Sequence, residues 1–551
     1  MQTNQLAFAC IHTNFATNFG KLANPIGYQQ TNFKGKTMIK CIFTSSTSAC
    51  LEWQNNLPYY AEGDYTVLLD GKEQGTFNTN VFSLFDLAPN TTYNLAIKGK
   101  DVSLQITTQA ETACLSIEQF GAVGDGVTDN TMAIQTAINC LPVGGRLVVP
   151  QGNFVTAPLC LKRNITLELQ KGATLTAHTD KSRYPVVPGE LADLVTGEMV
   201  QLGTWEGNPV NMHQAFIFGE HLSNVNIVGQ GTLEGNAHNI GWWIDVKNQP
   251  NGRPRLVFFN NCSNVTIHGI TGQNSGAWQF HPFFSNNIRF LDLTINAPKD
   301  SPNTDAIDPE ACDYVDIIGC KFSVGDDCIA IKSGKMYIGQ KYKTPANHHT
   351  IRNCLMQFGH GAVTLGSEMA GGVKNLTVNR CIFYATDRGL RIKTRRGRGK
   401  DAVIDGVTFE NILMDNVLTP IVINMWYNCC DPDRYSEYNT TREKLPVDDR
   451  TPYLGEFCFK DMVCKNCHVS ATYCDGLPEQ PIKSIELSNI QFTFADDAKS
   501  GVPAMKNNAI KLCKSGLYFD NVTKLVIKNV TLEGVEGEKI ITNNVSDFTE
   551  E

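Results

Sequence analysis

Asn224-Val225-Asn226-Ile227 comes back as Asn264-Val265-Thr266-Ile267 and as Asn287-Ile288-Arg289-Phe290, and this recurrence restricts the fold more than any other feature of the chain. Looser copies follow at Tyr314-Val315-Asp316-Ile317, Asn375-Leu376-Thr377-Val378 and Lys524-Leu525-Val526-Ile527. Each copy is a short alternating strand set between Asn- and Gly-rich turns. One such unit cannot bury its apolar side, so the units must stack and share a continuous core. The pattern predicts an all-β chain whose main body is a parallel β-helix of roughly ten coils.

The repeat does not extend to the beginning of the chain. Runs at 41–53, 64–71, 82–99 and 102–108 alternate apolar and polar residues between polar turns, the spacing of a small β-sandwich over 38–110 with Trp53 in its core. Leu87-Ala88-Pro89-Asn90-Thr91-Thr92-Tyr93 resembles the tyrosine corner of fibronectin type III modules. Residues 1–37 are polar and aperiodic and are expected to be disordered. The β-helix is assigned to 115–551. Its opening, Phe120 to Asn130, precedes the apolar-periodic stretch 131–140, which predicts a short helix capped by Asp129 or Thr128 and closing the first coil.

A net charge of -8 argues against nucleic acid as a partner, because phosphate binding needs a broad basic surface. No apolar run approaches the roughly 20 residues of a membrane-spanning helix. The first residues lack the basic region of a secretory signal. The 19 cysteines are scattered through alternating strands and read as buried free thiols rather than a disulfide framework. Together these predict a cytoplasmic protein, with secretion as the alternative. Cys464-Lys465-Asn466-Cys467-His468 matches a haem-attachment pattern, but it sits in another strand pair; no metal or cofactor is expected.

The chemistry emerges when successive coils are aligned by their apolar residues. Asp326-Asp327-Cys328-Ile329 falls over His360-Gly361-Ala362-Val363, and both over Asp387-Arg388-Gly389-Leu390; one coil earlier, Thr304-Asp305-Ala306-Ile307 fits the same register. Stacked positions repeat about every 4.8 Å. Asp305 is therefore expected over Asp327, Asp326 beside His360, and Arg391 and Lys393 two coils on, in a patch roughly 15 Å long. Carboxyl groups this close repel one another, so at least one should hold its proton to unusually high pH. One carboxylic acid to protonate a leaving oxygen and one carboxylate to activate water are the needs of glycoside cleavage. Arg391 and Lys393 suit a sugar carboxylate. The wider basic cluster, with Arg395, Arg396, Arg398 and Lys400, is a further place where an acidic protein could hold an acidic polymer, or else a solvated loop.

Asn303-Thr304-Asp305, Gly325-Asp326-Asp327, Gly359-His360-Gly361 and Arg391-Ile392-Lys393, in this order, resemble glycoside hydrolase family 28, the polygalacturonases, and the likeness runs from about Phe120 to beyond Val530. The resemblance implies a right-handed parallel β-helix that hydrolyses α-1,4-galacturonosyl bonds with inversion. It implies Asp326 as general acid, Asp305 and Asp327 as the pair that positions and deprotonates water, and His360 as support for the acid. Arg391 and Lys393 would bind the galacturonate carboxylate, with Asn303 and Tyr427 lining the cleft. The segment from Asn274 to Pro282 is similar to exo-acting members, which places Trp278 and His281 near the substrate. Insertions at 182–220 and 428–456 are expected to block one end of the cleft, favouring exo action on polygalacturonate or oligogalacturonides. The rivals are an endo enzyme, a hydrolase of rhamnogalacturonan or xylogalacturonan, a pectate lyase, and a non-catalytic carbohydrate-binding β-helix.

Overall fold

A computed structural model of the chain describes residues 38–190, 202–429 and 433–551; the disorder expected for 1–37 lies outside these. The chain divides into two compact units, meeting at Ala110 and Glu111.

In the amino-terminal unit, strands Met38–Thr44, Ala49–Gln54 and Val81–Leu84 form one antiparallel sheet. Lys72–Thr79, Tyr60–Leu69, Thr92–Ile97 and Ser103–Thr107 form the other. Trp53 and Tyr65 meet edge to face, ring centres 5.1 Å apart, in the core between the sheets. The Tyr93 hydroxyl accepts a hydrogen bond from the Ala88 amide at 2.8 Å, tying the turn before its strand back onto the strand.

The second unit is a parallel β-helix built on a sheet of 29 strands. One interior column shows how the sequence makes it: Leu115, Leu147, Leu167, Ile227, Ile267, Phe290, Ile317, Ile351, Val378, Phe409, Phe459, Leu487 and Ile527 each pair with the next. These rungs outnumber the roughly ten coils predicted, because several, among them those at Leu115, Leu147, Ile351, Phe409, Phe459 and Leu487, carry no Asn-led copy of the repeat. Nearly every side chain in the column is buried, and truncating one, such as Ile317→Ala, should cost about 2–5 kcal/mol. The asparagine that opens each repeat has its own cause. Asn224, Asn264 and Asn287 sit at φ between 52° and 55°, a left-handed conformation Asn tolerates well. Their amides also bond coil to coil: Asn264 Nδ2 donates to Asn224 Oδ1 at 3.0 Å, and Asn287 Nδ2 to Asn264 Oδ1 at 2.6 Å.

The helix Thr131–Cys140 forms as expected and buries Ile134, Ala137 and Ile138 against the first coils. Its cap differs from the expectation. Asn130 is the N-cap residue and turns its side chain to Val123, while Asp129 accepts from the Thr131 amide at 3.0 Å and Thr128 bonds Asp125 instead. Cys320, Cys354 and Cys381 are buried free thiols at the turns of successive coils, and Cys464 and Cys467 are buried free thiols within the strand Glu456–Cys467. His468 bonds Asn416 at 2.6 Å, so the Cys-x-x-Cys-His segment is ordinary coil. Among the described residues no helix is long and apolar enough to cross a membrane.

Candidate active site

The site lies where four rungs of the helix follow one another: Ile307 bridges Ile329, Ile329 pairs with Val363, and Val363 with Leu390. Stepping back two residues from Ile307 and Ile329 puts Asp305 over Asp327, and three back from Ile329 and Val363 puts Asp326 over His360. Acidic oxygens of Asp305, Asp326 and Asp327 lie within 4.8 Å of one another, and these are the described residues close enough to share a cation. His360 Nδ1 is 3.3 Å from Asp326 Oδ1. Those two side chains face the mouth, 49% and 21% exposed, while Asp305 and Asp327 are buried on the floor.

Arg391 and Lys393 come from the strand Arg388–Lys393, and both reach back to Asp327. Lys393 Nζ donates to Oδ2 at 2.9 Å and Arg391 Nη1 to Oδ1 at 3.0 Å. The rung between them carries Gly361, where a Cβ would lie 2.8 Å from Asp327 Oδ1 and 2.3 Å from Thr364 Oγ1. A side chain there would fill the gap through which the cations reach, so the glycine of Gly359-His360-Gly361 is a steric requirement of the charge cluster.

Protonation follows from these neighbours. Burial pushes the Asp305 carboxyl well above the usual range, and the charges of Asp326 and Asp308 push it the same way; its Oδ1 has no hydrogen-bond partner. Burial would raise Asp327 too, but Lys393 and Arg391 outweigh it and hold that carboxyl below the usual range. The hydrogen bond to Asp326 raises the His360 imidazole, against its burial and with the charges of Asp326, Asp327 and Asp387.

Asn303, at φ 54°, accepts from Arg253 Nη2 at 2.6 Å; that arginine also bonds the carbonyls of Gly276 and Pro302. Tyr427 is buried beside the cations, its ring centre 5.9 Å from Lys393 Nζ. Trp278 and His281 lie deeper than the prediction suggested, 4% and 1% exposed. His281 accepts from Arg255 Nε at Nδ1 (2.9 Å) and meets Glu310 at Nε2 (2.9 Å), while burial and the cations Arg255 and Lys332 keep the ring neutral. Lys332 stands 4.4 Å over the Trp278 ring, 3.0 Å from Glu368 and 3.5 Å from Asp308. Burial raises Asp308 to about 8. Sequence reasoning passed over Asp308 and Lys332, although strand alternation puts Asp308 on the outward row of Arg391, and Lys332 on that of Lys393.

The floor is covered on both sides. Thr204–Trp205 and Asn208–Pro209 form a hairpin in the first insertion. Trp205 stacks on Trp278 at 4.9 Å, Arg255 Nη2 holds the Thr204 carbonyl at 2.5 Å, and Lys335 pairs with Glu206 at 2.9 Å. On the other side the segment 501–512 lies across the floor. Met505 Sδ is 3.0 Å from Arg391 Nη2, Asn424 donates to the Met505 carbonyl, and Arg388 holds the carbonyls of Val502 and Pro503. Nothing in the repeat announces this strap, whose ends pair with each other at Gly501 and Leu512 and whose contacts to the floor are long-range.

Within the rest of the basic cluster, Arg395 and Arg396 bond elements of the fold. Arg396 is buried on Glu479 at 2.6 and 2.8 Å and on the carbonyls of Tyr438, Thr441 and Glu443. Arg395 pairs with Asp433 at 2.7 Å, and Lys400 with Asp449 at 3.0 Å. Arg395 and Arg396 pin the second insertion to the coils, whereas Lys400 and Asp449 are both exposed and pair in solvent, as in a solvated loop.

A family model described as glycosyl hydrolases family 28 matches residues 145–444. A protein named probable polygalacturonase, from Vitis vinifera, is 31% identical over 397 residues, covering 70% of this chain and 75% of its own length. The hyperthermoactive exopolygalacturonase of Thermotoga maritima, at 27% identity, superposes with a TM-score of 0.59 over 74% of this chain and 94% of its own. The family 28 exopolygalacturonase of Yersinia enterocolitica, at 18% identity, has the same fold, with a TM-score of 0.65 over 93% of this chain and 98% of its own. Relatives named as exo- and as endo-acting enzymes match at similar identity.

Proposed function

Because the chain belongs to glycosyl hydrolase family 28, we propose that it hydrolyses the α-1,4-galacturonosyl bonds of polygalacturonate or oligogalacturonides by a single inverting displacement, acting from a chain end. The observation that carries this reading is the triplet of Asp305, Asp326 and Asp327 within 4.8 Å, with His360 on Asp326 and two cations on Asp327.

Asp326, at the mouth, gives its proton to the glycosidic oxygen as the bond from that oxygen to C1 breaks. A water held by Asp305 and Asp327 forms the new bond to C1 and passes a proton to Asp327, which is ionised. Asp305 keeps its own proton and hydrogen-bonds the water. Solvent exchange then returns the proton from Asp327 to Asp326, and the cycle closes. Oxygens within 4.8 Å of one another would suit a retaining enzyme better than an inverting one by separation alone. Asp327, however, has both oxygens engaged by Lys393 and Arg391, which makes it a poor nucleophile and a better holder of water. The same two cations stand where a galacturonate carboxylate would approach. The hairpin at Trp205 supports chain-end action, because it covers the floor before Asp305. The amino-terminal unit is read as fibronectin type III-like, on the Ala88–Tyr93 bond and its two antiparallel sheets.

The test is a product time course on polygalacturonate with calcium chelated. Saturated mono- or digalacturonate from the earliest times is the expected result. A ladder of mixed oligomers would replace exo by endo action, and unsaturated products would replace hydrolysis by elimination.

A further inference from the structure

Resting on the hydrolase reading above, we infer that the site is built for short oligogalacturonides, di- and trigalacturonate above all, and handles the ends of long chains poorly. Two independent coverings carry this. The outward row of the floor runs from Phe258 through Asp308 and Arg391 to Val422 and Tyr473. Towards its amino-terminal side Phe258 and Phe218, the next rung of the same row, are buried in an apolar cluster with Leu202 and Ala215 of the first insertion, and the Trp205 hairpin lies on Trp278 one rung before Asp305. At the other end Val422, 2% exposed, and Tyr473 are packed under Ala504 and Leu512 of the strap.

Between the two coverings remain the rungs of Ile307, Ile329 and Val363, two steps of about 4.8 Å and so roughly 10 Å of floor, because Met505 of the strap already rests on Arg391 in the rung of Leu390. An endo enzyme needs a groove open at both ends, and a chain-end enzyme working on polymer needs it open at one. Among the described residues both ends are covered along the helix axis, and the way in is the mouth beside Asp326 and His360. A sugar chain longer than the pocket must turn out through that mouth, gaining no further contacts on the floor and losing freedom at the bend. The covering contacts are apolar packing, a tryptophan stack and hydrogen bonds to backbone carbonyls, the bonds of a fixed wall. A depolymerising enzyme that cuts inside polygalacturonate must therefore supply this substrate.

The test is kcat/KM per chain end for the purified protein on the di- to hexagalacturonate series and on polygalacturonate. The expected result is a maximum at di- or trigalacturonate with polymer about tenfold lower or more. A value that stays level or rises with length would overturn the inference while leaving the hydrolase reading intact. No cleavage of any member would overturn both. Trp205→Ala, and replacement of 502–511 by a short Gly-Ser linker, each open one end and should move the polymer-to-trimer ratio toward one. An unchanged ratio in a folded variant of each contradicts the wall. The wild-type series decides the matter even if the linker variant does not fold.

Discussion

Arg391 and Lys393 on one side, and Arg395 and Arg396 on the other, come from a single basic run, and all are buried. They have different uses. The first two are still on a strand, and its alternation points both at Asp327 across the gap left by Gly361. The second two lie past the strand end, where the chain turns into the region of Asp433, Glu479 and the carbonyls of 438–443. Charge count is the same in both halves. What separates the cations that reach Asp327 from the staples of the second insertion is that the first two still lie on the strand.

Substitutions in either pair separate the two uses, and the largest expected effect lies in the carboxyl cluster that Arg391 and Lys393 contact. Asp326→Asn should lower turnover on the order of 10²–10⁴-fold, with an unchanged melting curve; near-normal turnover would remove it as the acid. Arg396→Ala leaves Glu479 buried without its partner and should destabilise the protein by roughly 3–5 kcal/mol in denaturant titrations. The folded fraction should keep its KM, and a lost KM with full stability would move Arg396 into the site. Asp305→Asn sharpens the account of protonation. A buried carboxyl whose folded pKa is raised binds its proton more tightly in the folded state, so its contribution falls as pH rises from the unfolded value, about 3.9, through the folded one. The variant should be inactive, yet gain melting temperature over wild type more at pH 8 than at pH 5. A gain confined to acid pH would mean that Asp305 is ionised. Lys393→Ala should have the smallest effect on stability, because Arg391 still holds Asp327. It should slow substrates whose reacting sugar carries a free carboxylate more than their methyl esters, and equal losses on both would end the recognition role.

Much of this was legible in the sequence, for a definite reason. In a β-helix the coils are in register, so aligning Ile307, Ile329, Val363 and Leu390 places Asp305 over Asp327 and Asp326 beside His360 before any coordinates exist. Asparagine at the left-handed turn marks each coil that has one. The misses are contacts that do not repeat. Trp205 finds Trp278, Met505 finds Arg391, and Arg396 finds Glu479 through insertions whose paths no periodicity records. The helix cap slipped by one residue because Asn130 turns its side chain to the Val123 backbone and leaves Asp129 to take the Thr131 amide. Trp278 and His281 are expected near the substrate; both are buried, Trp278 under the Trp205 hairpin and His281 between Arg255 and Glu310, contacts that the periodicity does not record.

The account turns on water, held by Asp305 and Asp327, attacking the face of C1 opposite a bond that Asp326 protonates. Proton NMR of a trigalacturonate digest, recorded before mutarotation with calcium chelated, reads that step directly. The account predicts saturated product whose first-formed reducing end is the β anomer. A first-formed α anomer, or an unsaturated product, would contradict it.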